Sequence, residues 1–199
     1  MTKKEIFITS AFTENSIWKQ VLGICSSLAV TNLMKNSLIM GLGVIFTLAL
    51  SNFTISLLRD ITPRRVRMIA QTLIIASYVI IVDLFLKAFI PDVSKQLGPY
   101  VGLIITKCII MGRAEAFAAK NTPVDSVVDG IGAGFGYTFV LLIISLVREV
   151  FGFGTIFGFT VLGGWWSKWS IMVMAPSAFF VLAIMIWIIN GPMAIKQKK

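Results

Sequence analysis

Apolar residues along this chain fall into six runs, separated by short connectors that carry most of the charged side chains. The runs cover residues 18–31, 36–58, 68–90, 97–112, 124–147 and 170–190. A helix needs roughly 20 apolar residues to cross the hydrocarbon core of a bilayer. The second, third, fifth and sixth runs are long enough, so they are predicted to be transmembrane helices.

The first and fourth runs are too short to cross a bilayer as continuous helices. Their apolar cores, VLGICSSLAVT and VGLIITKCIIMG, have about half the length that a span requires and contain polar positions. Short, interrupted segments at matching positions of two halves indicate discontinuous helices around a site near the middle of the membrane. Both are therefore predicted to be half-helices or re-entrant segments, buried where other protein groups can satisfy their backbone.

The composition supports a membrane protein. The 199 residues are 57% hydrophobic and 14% charged, whereas soluble domains average about 25% charged. A soluble core of this size cannot bury so much apolar surface. The formal net charge of +9 does not indicate nucleic-acid binding, because the basic residues lie in connectors and not in one patch. Histidine is absent, which removes the commonest general base and metal ligand.

Two of the long runs repeat one another. Residues 37–60 align without a gap with residues 126–149, at an offset of 89 positions. Each copy has three segments, an odd number, so the second copy must enter the membrane from the opposite side. The chain is therefore predicted to be a single all-α integral membrane domain, 1–199, with six transmembrane segments in two inverted three-helix repeats, at about 16–90 and 97–190. The alternative is a chance recurrence of glycine and serine in membrane helices.

The distribution of lysine and arginine predicts the orientation of the chain. With the N-terminus in the cytoplasm, the inner connectors hold twelve basic residues and the outer ones five. Cytoplasmic connectors are enriched in Lys and Arg, so both termini are predicted to be cytoplasmic. The N-terminal stretch has no apolar region of the kind found in a cleaved signal peptide.

Each of the two short segments contains one cysteine, Cys25 or Cys108. Buried cysteine is often a small hydrophobe, and this interpretation stays open. A disulfide between them in the middle of a bacterial inner membrane is disfavoured. The matching positions favour a metal role, in which two thiolates are half of the four that a [2Fe–2S] cluster needs. Either a homologous partner or a second copy of this chain would then supply the other two.

Five sequence motifs along the chain are specific enough to compare with known families. They are LGICSSLAVT (22–31), ISLLRDITPRRVR (55–67), VGLIITKCIIMGRAEAFA (101–118), DGIGAGFGY (129–137) and APSAFF (175–180). These motifs are similar to those of the NqrD/RnfE family, whose members are membrane subunits of the sodium-translocating NADH:quinone oxidoreductase and of the Rnf complex. The similarity covers nearly the whole chain, and the first and last motifs are closer to the NqrD branch.

The resemblance implies a subunit of a redox-driven sodium pump in the bacterial inner membrane. Cys25 and Cys108 match the family's cluster ligands, and a homologous NqrE-like (or RnfA-like) subunit would supply two more for a shared [2Fe–2S] cluster. The cluster would relay electrons from a flavin and iron–sulfur subunit toward bound flavins and quinone. The alternatives are an RnfE-type subunit of a ferredoxin:NAD oxidoreductase and a non-redox transporter or scaffold with structural cysteines.

Lys107 departs from the family, which usually has asparagine immediately before this cysteine. A charge within a membrane segment is costly unless it is paired or hydrated. One interpretation is a lysine that extends toward the cytoplasmic edge. The other is that its ammonium group lies near the cluster, offsets the thiolate charge and makes reduction easier.

The remaining charges are given structural roles. Asp83 and Lys87 are four positions apart and are expected to pair on one helix face, although an ion-path role for Asp83 stays open. Arg113 and Glu115 are expected to be solvated or to face a partner. The pairs Arg59–Asp60 and Arg148–Glu149 are expected at helix ends, and the glycines near positions 41 and 130 are expected to allow close helix packing.

Overall fold

A computed structural model describes most of the chain. The described residues are 3–13, 17, 22–25, 30–63, 65–89, 102, 104–105, 107–156, 159–160 and 174–196. The regular elements are α1 (Lys3–Ile8), a π-helical turn (Thr9–Thr13), α2 (Met34–Leu58), α3 (Arg67–Phe89), α4 (Cys108–Arg113), a second π-helical turn (Ala114–Ala118), α5 (Pro123–Phe153), β1 (Thr155–Ile156), β2 (Phe159–Thr160) and α6 (Ala175–Lys196).

Three helices of the described residues are long and apolar enough to cross a membrane. They are α2, α3 and α5, with mean hydropathies of 2.0, 2.2 and 2.0 in their most apolar windows. The predictions for the second, third and fifth apolar runs are therefore confirmed as helices of spanning length. The sixth run overlaps α6 from residue 175 onward, and Pro176–Ile188 of α6 is a shorter apolar helix.

The two short runs are described only in part. Of residues 18–31, the structure describes 22–25, 30 and 31, so the first predicted half-helix lies mostly outside the described residues. Residues 97–101 lie outside as well. The fourth run ends in α4, a helix of 6 residues that passes directly into the second π-helical turn.

The start and end of α5 follow from its sequence. Pro123 occupies the first turn, where a missing backbone N–H costs nothing. Asp125 lies in the same turn and complements the positive end of the helix dipole. Gly154 ends the helix with a φ of 68°, a left-handed conformation that favours glycine. The chain then reverses in the antiparallel pair β1–β2, which the apolar pattern does not predict.

Helices α2 and α5 run antiparallel and form the centre of the molecule. At one end, the Arg59 guanidinium and the Ser56 hydroxyl donate hydrogen bonds to the Asn121 carbonyl, at 3.2 and 2.8 Å. At the other end, Glu149 accepts a hydrogen bond from the backbone N–H of Met34 at 2.7 Å. The end of each helix therefore lies beside the start of the other.

Small residues allow the two backbones to approach one another. A Cβ atom added to Gly134 would lie 3.0 Å from the Cα atom of Ile45, and one added to Gly130 would lie 3.1 Å from the Leu48 carbonyl oxygen. The expectation that glycines pack helices closely is confirmed at these positions. Ile45 and Gly134 are also aligned positions of the sequence repeat.

The other elements pack around this pair. The hydroxyls of Thr54 and Tyr78 are 2.7 Å apart and join α2 to α3. Much of α3 remains exposed, including Leu73, Ile80 and Leu84, as expected of a helix that faces lipid or a protein partner. In α6, Ala178 and Leu182 are buried.

The N-terminal segment also forms part of the packed structure. The apolar pattern predicts no element there, yet α1 and the first π-helical turn lie along α5. The Phe7 and Phe135 ring centroids are 6.4 Å apart. A Cβ on Gly132 would lie 3.0 Å from the Phe7 carbonyl oxygen, so glycine at this position allows the N-terminal backbone to approach.

Candidate functional site

Cys25 follows a glycine that reverses the local backbone. Gly23 has a φ of 87°, which is favourable for glycine and strained for other residues. Ile24 and Cys25 have helical backbone, and the Cys25 side chain is exposed and forms no disulfide.

Cys108 is the first residue of α4, and its side chain is also exposed and free of a disulfide. Lys107 precedes it as the N-terminal flanking residue of the helix, with extended backbone. The Lys107 carbonyl accepts hydrogen bonds from the backbone N–H groups of Ile110 and Met111, at 3.1 and 3.3 Å. The turn at Lys107 therefore fixes the orientation of Cys108 at the first position of α4.

Tyr137 of α5 brings the two cysteine-bearing segments together. A Cβ atom added to Gly23 would lie 3.1 Å from Cε2 of its ring. On the other side, Lys107 Nζ donates a hydrogen bond to the Tyr137 hydroxyl at 3.2 Å. The segments also contact one another directly, since a Cβ on Gly112 would lie 3.1 Å from Cδ1 of Leu22.

The Lys107 side chain points into the protein. It is 4% exposed, and its Nζ lies 4.5 Å from the centroid of the Tyr137 ring. A lysine that extends to the cytoplasmic edge would leave its amine solvated, so the first of the two interpretations for Lys107 is wrong. Among the described residues, the amine donates its hydrogen bond to the Tyr137 hydroxyl.

Within the described part of the chain, these two thiols are the candidate metal ligands. Among the residues that the structure describes, no three His, Cys, Asp or Glu side chains are grouped so that they could hold a metal ion. Cys25 and Cys108 fit the cluster as one half of a four-thiolate set, because both are reduced and exposed. Their role as ligands stays a prediction.

A buried ion pair anchors the far end of α4. The Arg113 guanidinium donates to the Asp129 carboxylate through Nε at 3.1 Å and through a second nitrogen, which also donates to the Ser10 hydroxyl at 2.7 Å. Arg113 is 3% exposed and Asp129 is 0% exposed. The expectation that Arg113 is solvated or faces a partner is wrong, because its charge is neutralised inside the chain. The signal for this pair was available, since a carboxylate within the apolar run 124–147 needs a partner.

A second buried polar group lies at the other end of α5. Arg148 donates hydrogen bonds to the Thr31 hydroxyl at 2.6 Å and to the Met174 carbonyl at 3.2 Å. Its neighbour Glu149 accepts the Met34 N–H bond described above. Both side chains are at most 2% exposed, and α5 continues beyond them to Phe153. The expectation that this pair marks a helix boundary is therefore wrong. The reason is that other elements satisfy both charges within the fold.

The remaining predicted charges are at the surface. Lys87 and Asp83 form the expected pair at 2.6 Å. Asp60 and Arg59 lie at the end of α2, as predicted, with exposed fractions of 83% and 37%. Glu115 is half exposed and accepts a hydrogen bond from Arg67 of α3 at 3.3 Å.

Comparisons with known proteins agree with the similarity seen in the motifs. The family model described as "Rnf-Nqr subunit, membrane protein" matches residues 3–186. The D subunit of the Na(+)-translocating NADH-quinone reductase of Psychromonas ingrahamii is 48% identical over 192 residues, covering 94% of this chain and 91% of the relative. The protein of the same name from Photobacterium profundum is 50% identical over 192 residues, with the same coverage.

These matches extend over nearly the whole chain and include both cysteine motifs. The prediction of an NqrD/RnfE-type chain is confirmed, and so is that of a membrane protein. The chain belongs to the Rnf-Nqr family of membrane subunits.

Proposed function

We propose that this chain is the D-type membrane subunit of a Na⁺-translocating NADH:quinone oxidoreductase, and that it relays electrons through an intramembrane [2Fe–2S] cluster shared with a homologous subunit. The names of the two relatives support the first part. Both relatives are D subunits of an Nqr enzyme, which favours this complex over the ferredoxin-linked Rnf complex.

The proposal includes an inverted-repeat architecture with six membrane segments, in copies at about 16–90 and 97–190. The antiparallel packing of α2 and α5 supports it, since these helices are the aligned parts of the two copies. The contact of Ile45 with Gly134 supports it further. Two aligned positions meet one another only where they lie on the pseudo-two-fold axis that relates the copies.

The observation that carries the cluster proposal is the meeting of the two cysteine-bearing segments at Tyr137. Gly134 lies three residues before Tyr137, which corresponds to about 4.5 Å along the helix. The segments therefore meet close to the proposed axis, near the middle of the membrane. When bound, a [2Fe–2S] cluster accepts one electron and passes it on.

The exposure of the thiols supports a shared site. A site completed within one chain would draw its ligands inward, whereas Cys25 and Cys108 are both exposed. A homologous subunit with two equivalent cysteines would complete the four thiolates. The other members of the complex and the bilayer of the bacterial inner membrane are the remaining partners.

The buried amine of Lys107 supports an anionic group nearby. An ammonium group removed from water is costly unless an opposite charge compensates it. A cluster with four thiolate ligands would supply such a charge next to Cys108, and the lysine would in turn make reduction easier. A Lys107→Asn variant is expected to have a lower cluster potential. An unchanged potential would reject the tuning role.

The test is EPR spectroscopy on the reduced complex, purified anaerobically, with measurement of iron and acid-labile sulfide. Cys25→Ala and Cys108→Ala are each expected to remove one [2Fe–2S] signal while the other redox centres persist. Met68→Ala is the matched control, because Met68 lies on α3 and is 63% exposed. Retention of all signals in both cysteine variants would exclude the cluster and favour the non-redox transporter or scaffold.

A further inference from the structure

The side chain of Tyr137 contacts both cysteine-bearing segments. It is 1% exposed and belongs to the main hydrophobic cluster, together with Ile104, Ile109 and Ile110 of the fourth segment. Its ring faces Gly23 and its hydroxyl meets Lys107. One rigid side chain on the longest helix therefore contacts the chain two residues before Cys25 and one residue before Cys108.

We propose that Tyr137 is a positioning residue for the shared cluster: its ring fixes the Cys25 segment, and its hydroxyl holds the Lys107 amine beside Cys108. This inference rests on the proposed function. It adds a residue that is not a proposed ligand and that acts through both segments.

The ring fixes the first segment through Gly23. The left-handed backbone at Gly23 turns the chain just before Cys25. A Cβ at this position would lie 3.1 Å from the ring, which is tighter than an ordinary contact. The glycine therefore satisfies two demands at once, a backbone conformation and a close approach to an aromatic ring. Removing the ring would leave a gap and release this constraint on Cys25.

The hydroxyl and the ring both act on Lys107. The amine lies 3.2 Å from the hydroxyl oxygen and 4.5 Å from the ring centroid. A cation near a desolvated aromatic ring gains electrostatic stabilisation from it. The hydrogen bond also fixes the direction in which the amine points, so the amine has a defined position relative to Cys108. A phenylalanine at position 137 would keep the ring contact and lose this direction.

This arrangement exists in one half of the chain only. The position aligned with Tyr137 in the first copy is Leu48, which is fully buried and has no polar group in its side chain. A leucine side chain cannot accept a hydrogen bond from an amine. The two cysteine segments are therefore not held by two equivalent contacts, and Tyr137 of α5 contacts both of them.

The experiment is a double-mutant cycle on the cluster potential in the complete complex. Tyr137→Phe removes only the hydroxyl, and Lys107→Asn removes the amine. Both are expected to shift the potential to more negative values, Tyr137→Phe by the smaller amount because the ring remains. The double variant is expected to shift no further than Lys107→Asn, because the hydroxyl acts through the amine.

Tyr78→Phe is the matched control, since its hydroxyl also joins two helices but bonds to Thr54 and not to Lys107. Its cluster potential is expected to equal that of the unmodified complex. Two outcomes would overturn the inference: a Tyr137→Phe potential that equals that of Tyr78→Phe, or shifts that simply add in the double variant.

A second variant tests the ring separately from the hydroxyl. Tyr137→Leu removes the ring as well, and it is expected to lower the [2Fe–2S] content of complexes that still contain this chain. Full cluster content in Tyr137→Leu would overturn the role of the ring. Failure of the proposed function gives a different result, namely a cluster signal that survives in Cys25→Ala.

Discussion

Arg113 and Asp129 carry opposite charges that are almost completely removed from solvent. Taking two ions out of water costs several kcal/mol, and the pair recovers this only with good geometry and additional hydrogen bonds. Here Asp129 receives two guanidinium nitrogens and the Ser10 hydroxyl. Because the three residues lie on different elements, the group joins the N-terminal segment, the end of α4 and the start of α5.

Loss of one charge in this group is expected to be costly. Arg113→Gln leaves the Asp129 carboxylate buried with a much weaker partner, at a cost of about 3–5 kcal/mol. The expected result is a lower thermal stability of the purified complex and less of this chain in the membrane. Lys87→Gln is the control, because the exposed Lys87–Asp83 pair contributes at most about 0.5 kcal/mol. Equal melting temperatures for the two variants would contradict a structural role for the buried pair.

The sequence identifies the residues with reactive chemistry more readily than their environment. Cys25 and Cys108 are conspicuous because the chain has 2 cysteines and no histidine. In the sequence, Tyr137 is one aromatic residue among several in a predicted helix. Only the fold shows that two distant segments meet at its side chain. The need of Asp129 for a partner is visible in the sequence, but the choice of Arg113 is not, since pairing over sixteen positions depends on how α4 turns into α5.

At the level of the elements, the contact between α2 and α5 depends on small residues at the crossing point. Lipid tails are as apolar as the helix surfaces, so helices in a membrane associate mainly through close packing and hydrogen bonds. Gly134 and Gly130 each place a backbone against the opposite helix. Serines at the start of both helices, Ser37 and Ser126, bond back to the carbonyls of Leu33 and Thr122, at 3.3 and 2.9 Å.

Replacement of a glycine at this crossing is expected to push the helices apart. A Cβ in Gly134→Ala would lie 2.9 Å from Cγ1 and 3.0 Å from Cα of Ile45, and overpacking of this kind costs about 1–3 kcal/mol. In Gly43→Ala the new Cβ would lie 3.5 Å from Val82 Cγ1, an ordinary contact. The second variant is expected to be neutral or more stable, by up to about 1 kcal/mol, because alanine favours the helix.

Thermal unfolding of the two complexes in the same detergent measures this difference. The same order is expected for the yield of intact complex from membranes. A Gly134→Ala complex as stable as Gly43→Ala would mean that the backbones separate without cost, and would contradict the close crossing of α2 and α5.

The long helices could be predicted because their signal is spread over many residues. The apolar run 36–58 and α2 (Met34–Leu58) differ by two residues at one end. The short elements could not. These short elements are α1, the two π-helical turns and the β1–β2 pair. Each has too few residues to show a hydrophobic period, and tertiary contacts with α5 stabilise them instead. The predicted run 124–147 ends six residues before α5 does, because the charges of Arg148 and Glu149 indicate a boundary in the sequence.

For the molecule as a whole, contacts between distant residues bring the basic connectors to one end. Arg59 bonds to the carbonyl of Asn121, next to Lys120, and Arg67 bonds to Glu115. The opposite end contains the start of α2 and the end of α5. Since Lys and Arg are enriched on the cytoplasmic side, the basic end is expected to face the cytoplasm together with both termini.

Alkaline phosphatase fusions to truncated chains test this orientation, because the enzyme is active only outside the cytoplasm. A fusion after Lys95 is expected to be active, whereas fusions after Lys120 and Lys196 are expected to be inactive. Green fluorescent protein at the same positions is the reciprocal control, since it should fluoresce only at the last two. The reverse pattern would place the basic end outside and contradict the predicted topology.

In the proposed inverted repeat, the contact between Ile45 and Gly134 has a consequence for the history of the chain. In an ancestral protein that paired with an inverted copy of itself, the residue on the two-fold axis would meet its own counterpart. Two isoleucines would collide there, and two glycines would leave a gap. Fusion of the two copies into one gene removes that restriction, because each position can then mutate alone. A large residue can therefore pack against a small one at this position only in the fused chain. This complementarity would help to make the fusion irreversible.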